Sequence, residues 1–231
     1  SVVNNPAGIG VMKIYSFYGH KEFVLPLGYK GDIIKEYFVD FDWRNKDFCL
    51  DLVKKDVMFY DNKGVDDWKI HFVETGLDSM TLMRLFRVKH ILMDDDDDNF
   101  MVTYGDGVAD IDINDLLKFH KEKGRLVTLT GINPTTPYGI IEIDDNCIVQ
   151  EFTEKPMSKD FINGGFMIFK KEVFKYIDGS NVMLEAELLP KLAKMGQVTI
   201  FTHRGFWHSM DTYRDFTKLN DLWAKDSPWK I

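Results

Sequence analysis

Phe100-Met-Val-Thr-Tyr-Gly-Asp-Gly-Val-Ala-Asp110 is the stretch on which the fold turns. An apolar run, Phe100 to Tyr104, breaks into Gly105-Asp106-Gly107, and more acid follows at Asp110 and Asp112. This predicts a buried strand whose C-terminal end delivers Asp106 into a glycine-flanked turn. In open α/β sheets ligands collect at the carboxyl ends of strands. A carboxylate there suits a hard divalent cation, because Mg²⁺ takes one or two carboxylates together with substrate phosphates. An Asp-Gly turn that merely ends a strand has the same sequence, and the stretch alone leaves both readings open.

Working outward, Ile113 to Lys123 has the spacing of an amphipathic helix, capped by Asp112 or Asn114 and ended by Gly124. Leu126 to Ile132 follows as a strand rich in β-branched residues. Tyr138 to Ile143 and Cys147 to Phe152 predict a hairpin about Asp144-Asp-Asn146. Further on come a strand at Gly165 to Phe169, a short helix at Glu172 to Ile177 and a helix from Leu184 to Met195. A strand at Val198 to Thr202 and a helix from Thr212 to Trp223 close the chain. Upstream, Met12 to Tyr18 predicts a helix stopped at Gly19, and Glu22 to Gly28 a strand to which Pro26 gives an irregular or edge position. Ile33 to Phe38 predicts a helix capped by Asp32, and Trp68 to Val73 a strand before a helix over 80–92 capped by Asp78 or Ser79. The charged span from Val39 to Asp67 reads as an excursion from the main sheet. Alternating strands and helices predict one α/β domain over residues 1–231, a Rossmann-like, mainly parallel mixed sheet with helices on both faces.

Composition excludes several classes. Of 231 residues, 45% are hydrophobic and 29% charged, the balance of a globular protein with a substantial core. A net charge of −8 without any basic block argues against nucleic acid as a partner. No apolar run is long enough to span a bilayer. Two cysteines, Cys49 and Cys147, suit a reducing compartment better than a disulfide framework, so a cytoplasmic protein is expected. The run Asp94 to Asp98 reads as a solvated acidic connection.

Three sequence-distant pieces carry chemistry: Thr103-Tyr-Gly-Asp-Gly107, Glu154-Lys-Pro156 with Asn163-Gly-Gly165, and Trp207-His-Ser-Met-Asp-Thr212. Each follows an apolar stretch, so a sheet would present all three to a common crevice. Asp106 and Asp211 could share one Mg²⁺, Lys155 could neutralise a phosphate, and Gly164-Gly165 would let a ligand approach the backbone. Taken singly, each has a plainer role as exposed lysine, glycine turn or helix-capping aspartate.

The ordered set of motifs resembles the sugar-1-phosphate nucleotidyltransferases, and within them the glucose-1-phosphate cytidylyltransferases. It comprises Met-Lys-Ile-Tyr-Ser at 12–16, Gly-Tyr-Lys-Gly at 28–31 and Ile-Lys-Glu-Tyr-Phe at 34–38. Thr-Gly at 75–76, Ser-Met-Thr at 79–81 and Thr-Tyr-Gly-Asp-Gly-Val-Ala-Asp at 103–110 follow. Glu-Lys-Pro at 154–156, Ile-Asn-Gly-Gly-Phe at 162–166, Gly-Phe-Trp at 205–207, Met-Asp-Thr at 210–212 and Pro-Trp-Lys at 228–230 complete it. The resemblance implies that a sugar phosphate oxygen attacks the α-phosphorus of CTP, giving CDP-glucose and pyrophosphate, for a deoxysugar pathway of surface polysaccharide. It implies Mg²⁺ on Asp106 and Asp211, with Lys155 holding the phosphate of glucose 1-phosphate and, with Asp106, carrying the catalysis. Tyr138, Gly139, Glu154, Asn163, Gly164 and Glu187 would serve the sugar side, and Ser79, Thr81, Arg84 and Thr103 the nucleotide side. A homo-oligomer is expected, as family members assemble.

The chain departs from the family pattern in two places. The family opens with a strand and a Gly-rich loop that cradles the triphosphate, followed by a phosphate-binding lysine, and no such stretch occurs in these 231 residues. A segment ahead of Ser1 carrying that loop is the expectation; the other reading is a protein without its triphosphate cradle. Second, Thr81-Leu-Met-Arg84 replaces two family glycines by Leu82 and Met83. Either base recognition is altered, or both side chains point into the core from a helix start. Another nucleotide or sugar phosphate, or a non-catalytic sugar-phosphate-binding descendant, are the alternatives to the cytidylyltransferase reading.

Overall fold

The computed structural model describes residues 8–60, 67–94, 96–134, 138–154, 157–158, 160–225 and 227–229. The chain forms two compact units, one built from the residues up to Asp96 with Phe174–Lys191, the other from Asp97–Val173 with the chain from Leu192 on.

The first unit opens with α1 (Gly8–Phe17), which stops at Gly19 because φ there is +90°, a conformation that costs glycine nothing. β1 (Glu22–Leu27) leads to α2 (Gly31–Val39) and α3 (Phe41–Asn45). Left-handed Lys30, not Asp32, stands at the N-cap of α2, and Asp32 lies inside the first turn, where it complements the helix dipole. The excursion is the antiparallel hairpin of β2 (Phe48–Asp51) and β3 (Asp56–Phe59), whose Phe48 and Phe59 pair across the ladder beside Trp43. β4 (Lys69–Glu74) then runs parallel to β1, with Pro26 opposite Val73. Among the described residues β4 is the only partner of β1, consistent with the edge expected from Pro26. The helix expected over 80–92 is divided at Val88 into α4 (Thr81–Arg87) and α5 (Lys89–Met93). Neither Asp78 nor Ser79 caps it: the Met80 N–H donates instead to Asn181 Oδ1 at 2.8 Å.

In the second unit, β5 (Asn99–Thr103) is followed by the three-residue β6 (Gly107–Ala109), α6 (Ile113–Lys123) and β7 (Val127–Ile132). Asp112 caps α6 by accepting from Asp115 N at 3.0 Å, and Gly124 ends it with φ +63°. Next come the hairpin β8 (Ile140–Ile143) and β9 (Val149–Thr153), and β10 (Ile162–Lys170). The short helix expected from Glu172 is a 3₁₀ helix, Lys171–Tyr176, and at Phe174 the chain returns to the first unit as far as Lys191. The helix expected from Leu184 begins only at Leu188 (α7, Leu188–Lys194), since Pro190 lacks an N–H and is tolerated only within a first helical turn. β11 (Val198–His203), the three-residue β12 (Trp207–Ser209) and α8 (Tyr213–Lys225) complete the order.

Four strands form the central sheet in the order β11-β7-β10-β5. β7 and β11 are parallel, while β10 is antiparallel to both β7 and β5, so three strands run one way and β10 against them. Phe166, Met167, Ile168 and Phe169 of β10 are fully buried, with Val127 of β7 and Ile113 and Leu116 of α6. At about 1.5–3 kcal/mol for each large apolar side chain withdrawn from water, this run anchors the sheet.

Candidate active site

The regular part of β10 ends at Phe166, opposite Thr103. Upstream of it the register with β7 shifts between Asn163 and Met167, a bulge of the kind found beside active sites. Gly165 takes φ +83° with the Tyr104 ring directly against it, and a side chain at Gly164 would press into Ile132 and the Thr130 carbonyl. The Asn163 carboxamide spans the bulge, its Oδ1 accepting from Gly165 N at 3.0 Å. Trp207 donates from Nε1 to the Gly164 carbonyl at 2.8 Å. Only a tertiary approach marks this indole as the clamp on Gly164; its sequence surroundings do not.

Trp207 opens β12, which pairs antiparallel with β6 in the register Trp207↔Ala109, His208↔Val108 and Ser209↔Gly107. The Met210 N–H extends the ladder by donating to the Asp106 carbonyl at 2.8 Å. Asp106 and Asp211 therefore leave the same end of one short ladder, and both are exposed. Ser209 Oγ donates to Asp211 Oδ2 at 2.6 Å, which turns that carboxylate without neutralising it. Thr103 Oγ1 donates to the Tyr104 carbonyl at 3.2 Å. The first and third motifs and Asn163-Gly-Gly165 are thus joined by register and by two tertiary hydrogen bonds within one unit.

The donor set suits Mg²⁺: two hard carboxylates at one end of a ladder, neither ion-paired among the described residues, leaving the remaining positions for water and phosphate oxygens. No group of three or more His, Cys, Asp or Glu able to hold a metal occurs among the described residues.

Tyr138, Gly139 and Glu154 meet at the open base of the β8–β9 hairpin, where a side chain at Gly139 would touch Glu154 Oε2 at 3.1 Å. Tyr138 is 78% exposed. Lys155 and Pro156 lie outside the described residues.

The model of the nucleotidyl transferase family matches residues 81–225, more than half of the chain. The chain belongs to the nucleotidyl transferase family. It is 39% identical over 224 residues to a Bacillus subtilis (strain 168) protein named "Probable glucose-1-phosphate cytidylyltransferase", covering 96% of this chain and 85% of that one. It is 40% identical over 222 residues to the glucose-1-phosphate cytidylyltransferase of Salmonella typhi, covering 95% and 85%. Among solved structures, HddC from Yersinia pseudotuberculosis superposes with a TM-score of 0.63 over 93% of this chain and 84% of that one. At 18% identity that likeness concerns the fold alone, and it bears out the α/β architecture.

In this nucleotidyl transferase the other implied residues belong to the first unit, where Ser79, Thr81 and Arg84 hydrogen-bond within the chain's own fold. Thr81 Oγ1 accepts from Leu184 N at 2.7 Å and lies 3.5 Å from Glu185 Oε2. Ser79 Oγ donates to the Thr75 carbonyl. Arg84 donates from its guanidinium to Thr75 Oγ1 at 2.8 Å and covers Gly28 so closely that a Cβ there would strike it. Thr75 Oγ1 in turn donates to the Leu27 carbonyl at 2.7 Å. Glu187 stands half-buried immediately before α7. Leu82 is buried, and its N–H donates to the Val182 carbonyl at 3.1 Å, so it points into the core as the second expectation had it; Met83 is half-buried.

No helix among the described residues is long and apolar enough to cross a membrane.

Proposed function

We infer that this nucleotidyl transferase is a glucose-1-phosphate cytidylyltransferase, converting CTP and glucose 1-phosphate to CDP-glucose and pyrophosphate. The observation that carries it is the near-full-length relationship to proteins of that name, at about 40% identity over at least 95% of this chain. The exposed aspartate pair on the β6–β12 ladder supports the same chemistry.

Asp106 and Asp211 are proposed to hold Mg²⁺, which when bound supplies charge neutralisation to the phosphates. The sugar phosphate is already an anion, so its oxygen needs little general-base help to attack the α-phosphorus. What the chain supplies is in-line positioning and electrostatic stabilisation. Lys155 is assigned to the sugar phosphate as a charge-assisted donor, and with Asp106 it carries the catalysis. Gly164 and Gly165, lacking side chains, let the sugar approach the bulge, with Asn163, Glu154, Tyr138, Gly139 and Glu187 beside it. Ser79, Thr81, Arg84 and Thr103 are assigned to the nucleotide side. A homo-oligomer in the cytoplasm completes the proposal, and the free, exposed Cys49 and Cys147 suit a reducing compartment.

The test is pyrophosphate release with glucose 1-phosphate and Mg²⁺ against each of CTP, UTP, dTTP and ATP. Release with CTP alone is expected. Release with another nucleotide in place of CTP overturns the base assignment, and silence with all four, from protein that includes the segment expected ahead of Ser1, overturns the enzymatic reading in favour of sugar-phosphate binding alone.

A further inference from the structure

The β6–β12 ladder has three paired residues on each strand, and two-stranded sheets of that size do not hold their geometry in water unaided. Something else must fix where it lies, and with it where Asp106 and Asp211 point. One fixture is the Trp207 hydrogen bond to Gly164. The other stands at the end of the ladder away from the aspartates. There the Asp110 N–H donates to the Phe206 carbonyl at 3.2 Å. His203 Nε2 lies 3.1 Å from that carbonyl and 2.9 Å from Asp110 Oδ1, so one ring N–H is shared between the two strands. Gly205 makes room for this: a Cβ at that position would collide with the Asp110 carboxylate and the His203 ring.

His203 is also the last residue of β11, in register with Ile132 of β7, and Ile132 faces Ile162 of β10. The ring therefore references the ladder to the central sheet at the level where the Asn163-Gly164-Gly165 bulge begins. We propose that His203 and Asp110 are positioning residues for the proposed metal pair, stapling β6 to β12 so that Asp106 and Asp211 are presented together. The staple touches neither aspartate. It acts through about four residues of extended chain, roughly 13 Å. The proposal rests on the metal assignment made above.

The decisive measurement is Mn²⁺ binding in the presence of CTP, followed by electron paramagnetic resonance, on the wild type and on His203→Ala, Asp110→Ala, their double variant, His203→Gln and Asp211→Asn. The Gln amide nitrogen stands near the position of Nε2 and keeps the donor. His203→Ala and Asp110→Ala are each expected to weaken Mn²⁺ at least fivefold. The double variant should weaken it no further, and His203→Gln should stay within twofold of wild type. Wild-type Mn²⁺ binding by folded His203→Ala or Asp110→Ala, with only the melting temperature lowered, overturns the positioning role. Should His203→Ala not fold, Asp110→Ala alone decides in the same way. Asp211→Asn separates the two levels: if it binds Mn²⁺ like the wild type, the metal assignment itself fails and the staple falls with it.

Discussion

Two sets of residues implied by the same family resemblance use their side chains in opposite ways. On the β6–β12 ladder, backbone hydrogen bonds do the positioning, and the Asp106 and Asp211 carboxylates stand exposed at its end. In the first unit, Ser79, Thr81 and Arg84 use their side chains to bind the carbonyls, amide and hydroxyl that shape the surrounding backbone. The difference teaches that a motif residue can serve a site by reaching a ligand or by holding the chain that does. The two kinds of service fail differently on substitution.

Asp211→Asn sharpens the contrast most. It keeps an oxygen to accept from Ser209 Oγ but removes the charge, so turnover should fall more than about 100-fold, with the melting temperature unchanged. Near-normal turnover would remove Asp211 from the metal site. Thr81→Val should behave the other way. It leaves the Leu184 N–H without its acceptor and should cost about 1–2 kcal/mol of stability by denaturant titration. A Thr81→Val protein as stable as wild type, with a raised KM for CTP, would break the comparison by making Thr81 a ligand contact.

A smaller and purely structural effect is expected from His120. It is buried on α6, within 2.8 Å of Thr128 Oγ1 and 3.1 Å of Asn99 Oδ1. Asn99 Nδ2 donates to Asp97 Oδ1, so the Asn99 oxygen faces the ring and accepts from Nε2, while Nδ1 accepts from Thr128. That arrangement needs the neutral ring. Burial first, then the Lys170 and Lys121 charges, lower its pKa from 6.5 to about 4. The unfolded chain then binds the proton before the folded one does. His120 thus contributes stability fully above pH 6.5 and loses it as pH falls towards 4, by on the order of 2–3 kcal/mol. Thermal melts across that interval check it, and a His120→Gln variant should flatten the slope. An unchanged slope would exclude His120 as its source.

Much of this was legible beforehand. Periodicity located α6, the strand leading to Thr103, the β8–β9 hairpin and the strand that became β11, because apolar spacing and glycine stops are local physics; the structure chose Asp112 over Asn114 as the cap of α6. Strands β6 and β12 were not legible: three residues are too few to show a period, and each exists only because the other pairs with it. The break at Val88 and the late start of α7 were missed because continuous apolar spacing hid them.

The order of the motifs by itself determined the family and singled out Asp106 and Asp211 as the proposed metal pair, since residue identity and spacing carry those. Only the tertiary structure decided what sets the pair in place: the Trp207 clamp on Gly164, the shared His203 hydrogen and the bulge at Asn163. Each is a contact between residues at least 40 apart in the chain or a register fixed by a neighbouring strand, or it closes a turn whose partner strand lies far away. Hydrogen bonds of that kind are directional and short-ranged, so they exist only after the sheet has brought their partners within about 3 Å.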